Sequence, residues 1–476
     1  MKREQWWAGV MTALLSSVVT AVGAVEANQL PGGEATVTAP LLSPTFLAPL
    51  GNLTIDRQDE LGFYIGRSYF RDPWVKAPAI TGNRDGLGPL FHMRSCIACH
   101  KRGGRGRIND QTGSDVPSFA LFLRLSLPGT DPHDGVIPEP TYGAQLSTAG
   151  VGSNLSNGGV PAEARLRVSY TPVEGQYADG GTYQLQQPHY HIENLGYGPL
   201  HPETLTSPRL APPLVGMGLI DAIEEADLLK QADPEDANRD GISGRVNRVW
   251  DRKLGKTVTG RFGFKAGSPT LLQQSAAAFL NDIGITNSFY PVENCTPRQK
   301  ACLQSPTGAD PAHDGLEIPD NRLLPTADFV RFLGVPARRH LNNPATAQGK
   351  QLFSELGCSG CHTPSYVTGE VEGLPELSRQ QIWPYSDFLL HDMGEGLADH
   401  RSEFEADGRE WRTPPLWGVG YNSLVTGRSH FLHDGRAHTI EEAILWHGGE
   451  AAVAQQRFTQ LTKAQREALL LFVDSL

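Results

Sequence analysis

Charge, methionine and cysteine are all sparse in this chain. Only 20% of its 476 residues are Asp, Glu, Lys or Arg, no long run of one sign occurs, and the net charge is −11. A nucleic acid is therefore not expected as a partner, although the acidic balance suits a basic redox protein. Past the first two dozen residues no apolar stretch reaches membrane length, so no span is expected in the mature chain. No fixed period marks a solenoid. Gly (52) and Pro (35) are the counterweight, well above average usage, and imply many loops and short helices.

The N-terminus reads as an export signal over 1–27. Lys2 and Arg3 precede an apolar segment from Trp6 to Val22, and Val22-Gly23-Ala24 or Val25-Glu26-Ala27 offers small-residue cleavage geometry. An uncleaved anchor is the competing reading. No Cys follows the segment, which excludes a lipoprotein.

Of the six Cys, four fall in two copies of one pentapeptide. Cys96-Ile97-Ala98-Cys99-His100 and Cys358-Ser359-Gly360-Cys361-His362 both read C-x-x-C-H, the attachment site of a c-type haem. Two thiols on one helical turn each form a thioether to a vinyl group, and the adjacent His ligates iron from the proximal side. Zinc would need a second ligand pair near each Cys pair, and a redox C-x-x-C needs no His after it. Two covalent haems are therefore expected, and their attachment outside the bacterial cytoplasm agrees with export to the periplasm. The remaining Cys295 and Cys302 are expected to form a disulfide there, with a free dithiol as the alternative.

The expected fold is mainly α: two cytochrome c-like haem domains, 28–335 and 336–476, loop-rich, with a small β-containing insert in the N-terminal half. Helices are expected over Pro212–Leu229, Ser268–Ile283, Asp328–Leu333, Ala345–Leu356 and Thr462–Leu476 from their apolar spacing. The best strands are Arg165–Tyr170 and Gly181–Leu185. The loop Asp233–Gly244 contains D-x-N-x-D-G, a candidate calcium site, although Asn247 stands where an EF-hand carries Glu. A loop shaped by Asx turns is the alternative.

Several phrases resemble the bacterial di-haem oxidoreductase family, described both as peroxidases and as thiol oxidoreductases. They include Ser207-Pro-Arg-Leu-Ala-Pro-Pro-Leu-Val-Gly-Met-Gly-Leu219, Gly260-Arg-Phe-Gly-Phe-Lys-Ala266, Asp387-Phe-Leu-Leu-His-Asp-Met-Gly-Glu-Gly396 and Phe431-Leu-His-Asp-Gly-Arg436. The resemblance covers nearly the whole mature chain. It implies two unlike haems, one with an open sixth position for hydrogen peroxide and one that stores electrons from a small redox protein. It also implies that His447 faces His362 across the second iron, where relatives carry Met or Tyr; His there lowers the potential. His201 lies roughly where peroxidases carry a removable distal His on the first haem, ahead of His189 and His191; Met93, Met217 and Met393 are the thioether candidates. Gln274 and Asp282 are the nearest equivalents of the catalytic Gln and Glu. Asp282 reads equally as a structural helix-end carboxylate. Lys265, Arg412 and Arg436 are candidate propionate partners, because a buried propionate requires a cation, and the basic stretch Lys101–Arg107 could do the same. Any Trp relay falls to Trp250, Trp411, Trp417 or Trp446. A plain electron-transfer cytochrome, with both irons six-coordinate, is the alternative function.

Overall fold

The computed structural model describes residues 29–38, 44–53, 57–108, 120–152 and 159–476. The export segment expected over 1–27 lies outside them. The expectation of a mainly α chain is overturned: 29% of the chain is helical and 19% is strand, spread over many small sheets. Each sheet among the described residues is a two-stranded ribbon. Gly and Pro keep most helices and strands short, so neither class dominates.

Two helix pairs carry the packing around the two pentapeptides. In the first, α1 (Arg57–Arg71) crosses α3 (Asp320–Arg331) and buries Phe63 and Phe70 against Phe329, with ring centroids 5.0 and 5.2 Å apart. The helices touch backbone to backbone, for a Cβ on Gly66 would stand 1.9 Å from the Pro325 carbonyl oxygen. The second pair repeats the device. In α4 (Pro344–Glu355), Gly349 sits where a Cβ would be 2.0 Å from the Ala468 carbonyl of α7 (Lys463–Ser475). Phe353 and Phe472 meet there at 5.3 Å. A capping box between Thr462 and Gln465 starts α7, which stabilises it by ~1 kcal/mol. The largest core cluster draws residues from both sides of position 335, from Ala35 and Phe63 to Tyr366 and Trp417.

A longer β element than expected joins the halves. Strands β2 (Arg165–Gln176) and β3 (Thr182–Glu193) pair antiparallel, from Arg165 opposite Glu193 to Gln176 opposite Thr182. At the tip Tyr177 enters the core of the C-terminal half beside Phe458, its hydroxyl donates to Glu441 (2.8 Å), and the Arg466 guanidinium covers its ring at 3.7 Å. The shorter ribbon of β1 (Leu121–Ser126) and β4 (Leu205–Leu210) flanks the first pentapeptide, Cys99 packing against its apolar cluster.

Two expected helices come out shorter, and both departures matter for the cavity. Pro212–Leu229 splits into Met217–Asp221 and Glu225–Leu229. Gly216 has φ +63°, and a Cβ there would lie 2.6 Å from the Trp417 ring. The segment before it is not helical, so the Pro212 carbonyl is not consumed by a helical hydrogen bond. Ser268–Ile283 becomes α2 (Leu271–Ala278), capped by Thr270 accepting from the Gln273 N–H, followed by a wide turn over Phe279–Ile283. Wide helical turns of this kind recur at functional sites, and Asp282 lies in this one.

Candidate haem cavity

A single cavity of about 1620 Å³ has both pentapeptides in its wall. That exceeds the ~300–1,000 Å³ of a single drug-sized ligand site. In the first pentapeptide Cys96–Cys99 is one helical turn, and the His100 N–H closes it on the Cys96 carbonyl at 2.9 Å. His100 Nδ1 lies 2.8 Å from the Pro212 carbonyl oxygen freed by the broken helix. A carbonyl only accepts, so Nδ1 carries the proton and Nε2 keeps its lone pair.

The same arrangement occurs twice more on the cavity wall. His362 Nδ1 donates to the Tyr385 carbonyl at 2.9 Å, where Tyr385 adopts left-handed backbone (φ 52°). His447 Nδ1 donates to the Ala443 carbonyl at 2.7 Å, one helical turn earlier. Burial lowers the proton affinity of all three rings, and His362 falls to about 4 with His447 lowering it further. All three line the cavity as neutral imidazoles with a free Nε2.

Around the second pentapeptide stands a buried ion triad. His391 is 2% exposed; its Nε2 lies 2.8 Å from Asp387 and its Nδ1 2.7 Å from Glu450. Burial opposes its charge, but hydrogen bonds with Asp387, Cys361 and Glu450 outweigh it and carry the imidazolium up to about 12. Glu450 also accepts from the Ser243 N–H and hydroxyl, tying the 233–244 loop to this centre. Within that loop Asp233, Asp236, Asn238 and Asp240 accept the N–H groups of Ala237, Gly241, Asp240 and Ile242. Among the described residues only Cys361, Asp387 and His391 bring three His, Cys or carboxylate ligand atoms together, and the loop's carboxylates do not.

A second charged group lies behind Trp411. Its indole stacks on His433 (3.8 Å, 9° between planes), with Arg209 and Lys265 over the ring at 4.6 and 4.5 Å. Lys265 is fully buried, 3.0 Å from Asp399, and burial pushes it down to about 8. Arg105 differs from these. It is 9% exposed and lines the cavity, and its Nε and Nη2 are buried without a hydrogen-bond partner.

The family model described as "Di-haem oxidoreductase, putative peroxidase" matches residues 25–476. The chain belongs to the di-haem oxidoreductase family. No curated protein matches it. Haem is the cofactor the family name implies, and the cavity fits two copies of that group: it is large, holds thiols and free imidazole nitrogens at both pentapeptides, and presents in Arg105 a buried guanidinium with two nitrogens that have no hydrogen-bond partner. Zinc fits poorly, because no second ligand pair stands beside Cys96 and Cys99 among the described residues.

In this member of the family the cavity wall includes Gln274, Asp282 and Arg412. The Asp282 carboxylate accepts from Gln145 at 3.0 Å, and its charge acts on Cys96, Cys99 and His100. Arg412 donates from Nε to the Gly263 carbonyl and from Nη1 to that of Thr413. Lys265 is not on the wall; it is committed to Asp399 and the Asp407 carbonyl. Arg436 is held by Asp434 and the Gly396 carbonyl, also off the wall. Nor does His201 reach the cavity: its N–H donates to Glu139 and its ring nitrogen accepts from the Glu203 N–H. His189 and His191 lie on the β3 ribbon, hydrogen-bonded to Thr171 and Ser169. Met93, Met217 and Met393 all line the cavity, as do Trp411 and Trp417, whereas Trp250 and Trp446 do not. Sequence reasoning passed over His391, His433 and Arg209 as site residues although each stands in a phrase shared with the family; Arg105 was legible only as part of a basic loop.

Proposed function

We propose that the protein is an exported di-haem c-type oxidoreductase that reduces hydrogen peroxide with electrons from a small, basic redox protein. The observation that carries this reading is an asymmetry. His362 and His447 are neutral imidazoles on the cavity wall, each locked by a backbone carbonyl and near enough that His447 lowers the proton affinity of His362, while no second imidazole acts on His100. Of the other His on the wall, His391 is clamped by two carboxylates, His433 is stacked on Trp411, and His133 is exposed with its ring 4.3 Å from that of Trp250. One centre is thus built to be closed by two protein ligands and the other to leave a position free. Bound haem supplies electron storage at the His362–His447 centre and a place for peroxide at the His100 centre.

The chain's own residues hold and orient. Cys96, Cys99, Cys358 and Cys361 would anchor the groups covalently. His100, His362 and His447 would present Nε2 to iron, and Arg105 and Arg412 would answer propionate charge. Gln274 and Asp282, both on the cavity wall and Asp282 beside Cys96–His100, would orient the substrate and move its proton. Export agrees with covalent haem attachment and with the Cys295–Cys302 bond, whose Cα atoms lie 5.8 Å apart. No helix of the described residues is long and apolar enough to cross a membrane.

The test is spectroscopic. Protein from a host competent in cytochrome c assembly should retain two haems per chain after acid–acetone extraction, and its ferric spectrum should show one high-spin and one low-spin centre. Peroxide should oxidise the reduced protein with two-electron stoichiometry. Two low-spin haems indifferent to cyanide and peroxide would make it an electron carrier instead.

A further inference from the structure

The second centre depends on a ligand that local structure holds weakly. His447 lies two residues past α5 (Ile440–Leu445), between Trp446 and the Gly448–Gly449 pair, with Gly449 in left-handed backbone (φ 53°). A helix of this length falls far below the ~12–15 residues at which an isolated helix becomes even marginal in water. Its Ile440, Ala443 and Ile444 line the cavity, and Leu445 is its buried residue. Thr439 caps it, accepting from the Glu442 N–H at 3.0 Å. Whatever else fixes α5 therefore fixes His447.

The ribbon of β2 and β3 reaches this element from the other half of the chain with two phenols. At the tip, Tyr177 donates to Glu441, in the first turn of α5, at 2.8 Å. The tip is itself clamped. The Ala178 N–H donates to the Thr459 carbonyl of α6 (Ala452–Gln460) at 3.0 Å, and the Arg466 guanidinium above the Tyr177 ring donates to Asp179 at 3.0 Å. Arg466 Nε also stands 4.0 Å from the Glu441 carboxylate. Across the ribbon Tyr183 packs on Tyr177 with centroids 4.9 Å apart, and its ring lies over Gly175 in the paired strand, where a Cβ would collide with it. Nearer the base, Tyr190 donates to the buried Asp434 at 2.8 Å. Asp434 accepts from Arg436 Nε at 2.8 Å, and that guanidinium lies over the Trp446 ring at 4.7 Å while donating to the Gly396 carbonyl at 2.6 Å. One phenol thus acts at the start of α5. The other acts, through Asp434 and Arg436, at the residue before His447.

We propose that this ribbon is a brace for the sixth ligand of the second centre: Tyr177 and Tyr190 keep the His447 imidazole in place and so keep that iron closed to exogenous ligands. The inference rests on the His362–His447 ligation proposed above. Tyr177, Tyr190 and Glu441 are positioning residues, and none of them lines the cavity. The brace matters to the reaction because an open second iron would admit peroxide at the centre that stores electrons. An exogenous ligand binds that iron only in the population from which His447 has swung away, so its apparent affinity measures that population.

The experiment is titration of the reduced di-haem holoprotein with carbon monoxide, with amide hydrogen exchange followed over 439–447 and, as a control, over α3. Wild type should bind one carbon monoxide tightly and a second far more weakly. Tyr177→Phe keeps the ring under Arg466 and loses the hydroxyl; it and Glu441→Ala should each tighten the second equivalent on the order of 10-fold. Exchange over 439–447 should quicken in both while α3 stays unchanged. Glu441→Gln keeps an acceptor oxygen and should retain wild-type behaviour, and Tyr190→Phe should act with the same sign as Tyr177→Phe. Unchanged affinity for the second equivalent in Tyr177→Phe and Glu441→Ala overturns the brace. So does exchange that quickens equally in α3, which marks a general loosening. A wild type that binds two carbon monoxides equally well removes the His362–His447 ligation itself, whatever the ribbon does.

Discussion

Arg105 shows at the scale of one residue how burial and chemistry constrain each other. A guanidinium with two buried nitrogens unpartnered is unfavourable in an empty cavity and favourable beside a propionate. Replacing it by Leu in the holoprotein would leave that propionate buried without its cation, which costs about 3–5 kcal/mol when a buried pair is broken. Arg105→Leu should lower the denaturation midpoint and shift the potential of one haem while leaving the other unchanged. His447→Ala tests the proposed His362–His447 ligation: one low-spin centre should become high-spin, and an unchanged spectrum would remove His447 from the iron. The pentapeptides were legible because the thiols and the His of each lie within one turn of backbone and need no distant partner. His391 was not, since Glu450 joins it from 59 positions away.

Among the elements, close helix crossings override local propensity. Gly is disfavoured inside a helix by up to ~1 kcal/mol relative to Ala, so Ala should help wherever space allows. At Gly62 of α1 an added Cβ meets nothing within 4 Å, and Gly62→Ala should stabilise the protein by up to that amount. At Gly349 of α4 the Cβ would meet the Ala468 carbonyl oxygen at 2.0 Å. Gly349→Ala should therefore destabilise by ~1–3 kcal/mol or more, pushing α7 off the second centre. Opposite signs in thermal melts of these two variants are the expected outcome. Apolar spacing located α4 and α7 well, because each is a periodic run with its own cap. It failed at 212–229, where Trp417, 201 positions beyond Gly216, occupies the space that continued helix would need.

For the whole molecule, buried titratable groups set the pH range of stability. Burial raises Glu163 to about 8 in the fold, against a carboxylate pKa near 4.5 when unfolded. Its contribution is complete below about pH 4.5 and is lost as pH rises through 8. His391 has the same sign, at about 12 against 6.5, so its contribution declines above pH 6.5. Asp434 and Glu403 run the other way: cationic neighbours hold each at about 2, so their contribution is present above the ordinary carboxylate range and is lost as pH falls through 2. Melting temperature should accordingly decline between pH 6.5 and 8, and Glu163→Gln should flatten that decline. A melting temperature that climbs over this interval would contradict the burial of these groups.

Residue order alone was enough for the family and for the expectation of two haem attachment points, because thiol spacing and an adjacent imidazole are properties of a single turn. It also sufficed for the disulfide, whose partners are seven positions apart. Helix and strand proportions were decided only by folding, since a Gly- and Pro-rich chain takes its ribbons and short helices from distant contacts. So were the free carbonyl beneath His100 and the two unpartnered nitrogens of Arg105. Each of these depends on burial, and burial is a property of the packed molecule, not of any stretch of the chain.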